Sequence, residues 1–65
     1  MEKLNYKLAI KVLKLMYDDF SDLNTTVGSI RDNAHREKLM LEIETMKSYV
    51  KKLYEHYKKV VDQLP

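Results

Sequence analysis

Two ladders of apolar residues, each stepping alternately four and three positions, run through most of this chain. The first is Ala9, Leu13, Met16, Phe20, Leu23, Val27, Ile30, Ala34; the second is Leu39, Ile43, Met46, Val50, Leu53, Tyr57, Val60, Leu64. At about 100° per residue, such an alternation lines one face of an α-helix with apolar side chains. The two ladders therefore specify two long helices. The step from Ala34 to Leu39 is five residues and fits neither half of the alternation, so the stripes cannot share one face of a single straight helix. The expected fold is all-α: an antiparallel helical hairpin forming one domain, with helix 1 at about 3–31, a turn at about 32–35 and helix 2 at about 36–63.

Local chemistry competes with this placement of the turn. The stretch Ser21 to Ser29, SDLNTTVGS, is rich in β-branched and cap-forming residues that weaken a helix. Gly28 could be a left-handed C′ residue and Ser29 an N-cap, with Asp32 completing a weak capping box. That chemistry defines an alternative, a three-helix arrangement with a break at 24–29. Hydrophobic phase favours the later turn, because Leu23, Val27, Ile30 and Ala34 continue the first ladder unbroken. A single mid-helix glycine costs only about 1 kcal/mol against that signal.

A 65-residue chain buries only about 60% of its unfolded surface, so reinforcement from outside its own core is expected. Cysteine is absent and histidine occurs twice, which leaves no disulfide framework, no thiolate zinc site and no structural metal. Oligomerisation or a partner is the remaining route. No run approaches the roughly 18 apolar residues of a membrane span, and the N-terminus lacks the apolar core and cleavage site of a signal peptide. The expected location is the cytoplasm, with no membrane partner.

Helix 1 has more apolar surface than one neighbour can cover. Leu4, Leu8, Val12 and Leu15 widen its stripe on one flank, Tyr6, Ile10 and Tyr17 on the other, and Lys3, Lys7, Lys11, Lys14 and Asp18 share the polar side. A strict two-in-seven stripe makes a coiled-coil seam, whereas a broader arc faces a bundle core. The hairpin is thus expected to pair with a second copy into a four-helix bundle, a homodimer, or with a helix of another protein. Leu4, Leu8, Val12 and Leu15 are the expected partner-binding residues, with Tyr17 and Tyr54 beside them.

Charge is distributed lengthwise. Residues 1–16 carry a net +3 and residues 47–60 a net +4, whereas residues 17–46 carry −4; with Asp62 the total is +2. A hairpin gathers the two basic segments at its open end, and stacking two copies with ends opposed places basic on acidic. The basic end could also meet an anion, with Lys3, Lys7, Lys11, Lys51 and Lys58 as phosphate contacts of a small dimeric nucleic-acid-binding protein. The basic residues of these segments are all lysine, however, and bidentate phosphate or base recognition favours arginine.

The residues hold no constellation for catalysis or for a cofactor. His35 and His56 have no second imidazole at ligand spacing, Glu42 and Glu44 point apart, and Ser21, Ser29 and Ser48 lack a histidine base. Of the clustered Tyr49, Tyr54 and Tyr57, Tyr57 is on the ladder and Tyr49 flanks it, which leaves Tyr54 as the free ring, suited to an interface more than to base stacking. The expected function is a non-catalytic protein-binding module, a small adaptor, regulator or inhibitor acting by helix–helix contact. The alternative is the nucleic-acid-binding protein.

Overall fold

The chain forms the hairpin that its ladders require. A computed structural model describes residues 2–65, in which α1 (Glu2–Val27) and α2 (Asn33–Gln63) pack against each other in a rod 51 Å long. The helices run antiparallel. Near the open end the Tyr6 and Tyr57 rings meet edge to face, with centroids 5.4 Å apart. Midway along, the Lys47 ammonium lies 4.8 Å from the centre of the Tyr17 ring.

The seam of α1 is not the ladder Ala9, Met16, Leu23 but a parallel one, Tyr6, Ile10, Leu13, Tyr17, Phe20, Asn24, Val27, all buried or partly buried. The two ladders share Leu13, Phe20 and Val27, so a small rotation of α1 about its axis exchanges one for the other. Side-chain size supplies the reason: Tyr6, Ile10 and Tyr17 remove more apolar surface from water than Ala9 and Met16 can. Met16 and Leu23 are left exposed, and so is Met46 of α2, whose place opposite Tyr17 is taken by the stem and ammonium of Lys47. Of the rest of the second ladder, Ile43, Val50, Tyr57 and Leu64 hold the seam with Lys47, Met40, Tyr54 and Val61, while Leu39, Leu53 and Val60 are partly buried at its edge.

The resulting core is small. Leu13, Val27, Ile43 and Val50 are the buried hydrophobics, 3–8% exposed, and among the described residues no side chain is fully buried. Leu53, a ladder residue, is only partly buried.

The turn occupies residues 28–32, earlier than the expected 32–35, and α1 stops at Val27 instead of about 31. The chain through Asn24 stays helical and only two helices form, so the three-helix arrangement with a break at 24–29 is also corrected. Hydrogen bonding marks the early stop. The Thr25 and Thr26 hydroxyls donate to the carbonyls of Ser21 and Asp22 at 3.2 and 3.1 Å, a bond that weakens a helix without ending it, since Thr45 donates in the same way to Leu41 at 3.0 Å inside α2. The N–H groups of Ser29 and Ile30 then donate three residues back, to Thr26 and Val27, tightening the last turn. Gly28 is not the left-handed residue expected of a C′ glycine, since no described residue has a positive φ.

Asp32, not Ser29, starts α2. Its Oδ1 accepts from the His35 N–H at 3.0 Å, and Arg36 braces the turn by donating to the Ile30 carbonyl at 2.7 Å and to the Asn33 side chain. Asp32→Ala is expected to cost about 0.5–2 kcal/mol, with Asp32→Asn close to neutral, because only the alanine leaves that N–H without its acceptor. Urea unfolding followed by circular dichroism checks this; equal loss in both variants would assign the effect to charge instead of capping.

Candidate interaction surfaces

With α2 lying on one side, helix geometry divides the remaining surface of the hairpin into three strips of different chemistry. The first lies on α1 directly away from α2. Leu4, Leu8, Val12 and Leu15 fall there because their angular positions about the helix oppose those of Tyr6, Ile10, Leu13 and Tyr17, and they are 50–64% exposed. Four large aliphatic side chains within three turns of one helix form a contiguous apolar stripe, the kind of patch that marks a contact site more than a scatter of single surface residues does.

The second strip is the flank of the seam that carries the lysines. Tyr17 and Tyr54 line a groove of about 520 Å³ together with Leu13, Lys14, Asp18, Lys51, Glu55 and Lys58. The Lys58 ammonium sits 5.4 Å from the centre of the Tyr54 ring, a second cation–π pair beside that of Lys47 and Tyr17. Lys14 is the lysine that α1 contributes to this groove. Of the five lysines expected to contact phosphate, Lys3 and Lys7 fall on the same flank as Lys51 and Lys58, whereas Lys11, one heptad from Leu4, falls beside it on the outer side of α1. Lys3 alone among them is partly buried. Asp18 and Glu55 interrupt the positive field within the groove itself.

The six residues expected to bind a partner are therefore divided between two surfaces. Leu4, Leu8, Val12 and Leu15 share the outer stripe of α1, whereas Tyr17 belongs to the seam and Tyr54 to the lysine flank, both partly buried under lysine side chains. The exposed tyrosine is Tyr49, at 65%, not Tyr54. Tyr49 lies on the third strip, the opposite flank of the seam.

The apolar ladders assign the residues of that third strip to the seam, where the structure does not place them. Met16, Leu23 and Met46 are 41–45% exposed, and with the smaller or more sheltered Ala9, Leu39, Leu53 and Val60 they give the hairpin an apolar flank along both helices. A hollow between Met16, Asp19, Phe20 and Leu23 lies on it. The available signal was the presence on α1 of two interlocking ladders sharing every second member, of which only one can face α2. Near the turn, Leu41 is also exposed, on the side of α2 away from α1, while Met40 is partly buried.

Among the described residues no group of histidine, cysteine or carboxylate side chains could hold a metal ion, and no helix is long and apolar enough to cross a membrane. The available chemistry is that of surfaces: an aliphatic stripe, an apolar flank and a lysine–tyrosine groove. No family model, curated protein or solved structure matches this chain.

Proposed function

We propose that the chain is a non-catalytic protein-binding module that works by helix–helix contact through the outer stripe of α1. The observation that carries this reading is the exposure of Leu4, Leu8, Val12 and Leu15 on a helix whose opposite face already holds α2. Their spacing suits the apolar face of a partner helix, which reads such a stripe as a row of anchors three and four residues apart. Burying the stripe would supply the binding free energy, at roughly 25 cal/mol per Å² of apolar surface before the costs of association. Lys7 and Lys11, at its edge, would orient the partner by charge more than add affinity.

Photo-crosslinking tests the reading. With a benzophenone side chain at position 8, 15 or 52, positions 8 and 15 are expected to capture the same foreign protein in cells and position 52, on the exposed outer side of α2, is not. Leu8→Glu should abolish capture from position 15 while helix content stays unchanged, because Leu8 is half exposed and outside the hairpin core. Equal capture from all three positions, or an unfolded Leu8→Glu variant, would overturn the assignment.

A second reading takes Lys3, Lys7, Lys11, Lys51 and Lys58 as phosphate contacts of a nucleic acid, and is supported by the gathering of these lysines in the basic open half, with Lys51 and Lys58 in one groove. Phosphate contacts of that kind predict a loss of affinity of about tenfold or more between roughly 50 and 200 mM salt, irrespective of base sequence. If no complex forms with single- or double-stranded DNA or RNA even at the lower salt, this reading is excluded.

A further inference from the structure

We propose that the apolar flank centred on Met16 and Met46 is the contact face of a homodimer, in which a second copy of this chain lies against it with its turn at the opposite end, completing a four-helix bundle. This face is distinct from the outer stripe of α1, so the inference goes beyond the reading above and does not depend on it.

Surface area points to an absent neighbour of a definite size. The chain exposes 5315 Å² for a mass of 7.8 kDa, whereas a folded monomer of that mass exposes roughly 4,400 Å². The excess of about 900 Å² is close to the ~800 Å² that each partner contributes to a standard protein interface. A two-helix rod has no second layer, and a second rod supplies one.

Charge selects the partner and its direction. The contacts of Tyr6 with Tyr57 and of Tyr17 with Lys47 set the register of the hairpin, so residues 1–16 lie beside residues 47–62 and the remainder forms the half nearer the turn. The open half is strongly basic, and residues 17–46 carry a net −4. Two copies with ends opposed place each basic half on an acidic half. Two copies with turns at the same end place basic on basic, an arrangement opposed by the same charges. A chain whose two halves complement each other in this way fits its own copy.

Shape agrees with that direction. The boundary between the halves falls at residues 16 and 46–47, so the exposed Met16 and Met46 sit where a twofold axis would cross the face. Thioethers adapt to the irregular contact that a symmetry axis imposes. Ala9 and Leu23 lie seven residues to either side of Met16, so the twofold sets the small side chain of one copy opposite the large one of the other. In this packing α1 lies along α1 of the second copy, and the two outer stripes share one edge of the bundle.

The absence of cysteine makes the geometry directly testable in the full chain. Light scattering over roughly 1–200 μM protein should give twice the chain mass at the upper end, since dimer population rises with concentration. Met16→Cys alone should form a disulfide-linked dimer under mild oxidation. Ala9→Cys alone should not, because its own copy lies about 21 Å away along the helix axis, but a mixture of Ala9→Cys and Leu23→Cys chains should cross-link. Because these pairs are read in folded protein without destabilising substitutions, failure to fold cannot imitate a negative result. A monomer throughout the concentration range overturns the proposal, as does a dimer in which Ala9→Cys links to itself and the mixed pair does not. Capture from positions 8 and 15 reports on the outer stripe, so either reading can fail while the other stands.

Discussion

Replacing Ile43 with alanine is expected to remove about 2–5 kcal/mol of stability, the range for deleting most of a buried aliphatic side chain that leaves a cavity. Ile43 is the most buried core residue, 3% exposed, and faces α1 within the acidic half, close to its border with the basic one. A single core in a chain below about 70–80 residues rarely supplies more than about 3–5 kcal/mol, so the variant should lose cooperative thermal unfolding. Leu53→Ala offers the contrast. Its equal rank in the ladder implies a similar loss, yet its partial burial predicts a smaller one for the lone hairpin. Leu53 borders the Met16 and Met46 flank, so its cost should approach that of Ile43 only when that flank is covered. Urea titrations followed by circular dichroism at low and high protein concentration separate the cases. An Ile43→Ala variant with an unchanged midpoint would show that this core does not hold the helices together.

Asn24→Leu should stabilise the chain. Asn24 occupies a seam position in α1, and its side-chain Oδ1 is buried with no hydrogen-bond partner. The nearby Gly28 N–H is no remedy, because it donates to the Asn24 backbone carbonyl at 3.0 Å. An unsatisfied buried acceptor costs about 1–3 kcal/mol, whereas an apolar group of similar shape carries no such penalty. Each kcal/mol gained should raise Tm by roughly 4–8 °C in a domain of this size. A polar residue in an otherwise apolar seam can also fix alignment at the expense of stability. The leucine variant is thus expected to tolerate more than one alignment of α1 on α2, visible as broadened amide resonances beside the higher Tm. A fall in Tm would show that the Asn24 amide makes a stabilising bond.

The fold was legible because the pattern that encodes it repeats many times. Sixteen ladder positions over two segments define two helices, and one broken step between Ala34 and Leu39 requires the chain to reverse. The apolar phase places the start of α2 at about 36, within a few residues of the observed Asn33, and its end at about 63, where α2 ends at Gln63; the N-cap role of Asp32 comes from the structure. The end of α1 differs from the expected one because apolar phase alone does not register the local backbone bonding of residues 21–29. Ile30 continues the ladder in number, but the closing bonds of Ser29 and Ile30 have already ended the helix.

The candidate surfaces were legible in part. Leu4, Leu8 and Leu15 stand well round the helix from the observed seam, and Val12 on the edge between them and Leu23, so the expectation that α2 alone cannot cover them agrees with their exposure. Tyr17 and Tyr54 were grouped with them by residue type, whereas their burial depended on which flank α2 would occupy and on lysine stems from the same groove.

By itself the sequence determined two amphipathic helices, a reversal between them, a lengthwise separation of charge and an outer stripe on α1. Each follows from spacing within one segment or from order along the chain. Only the tertiary structure decided the rotation of each helix about its axis. Leu13, Phe20 and Val27 belong to both possible seams, and the choice between them rests on contacts across the pair, Tyr6 with Tyr57 and Tyr17 with Lys47. Those rotations buried the aromatic ladder of α1 and left Met16, Leu23 and, on α2, Met46 facing outward.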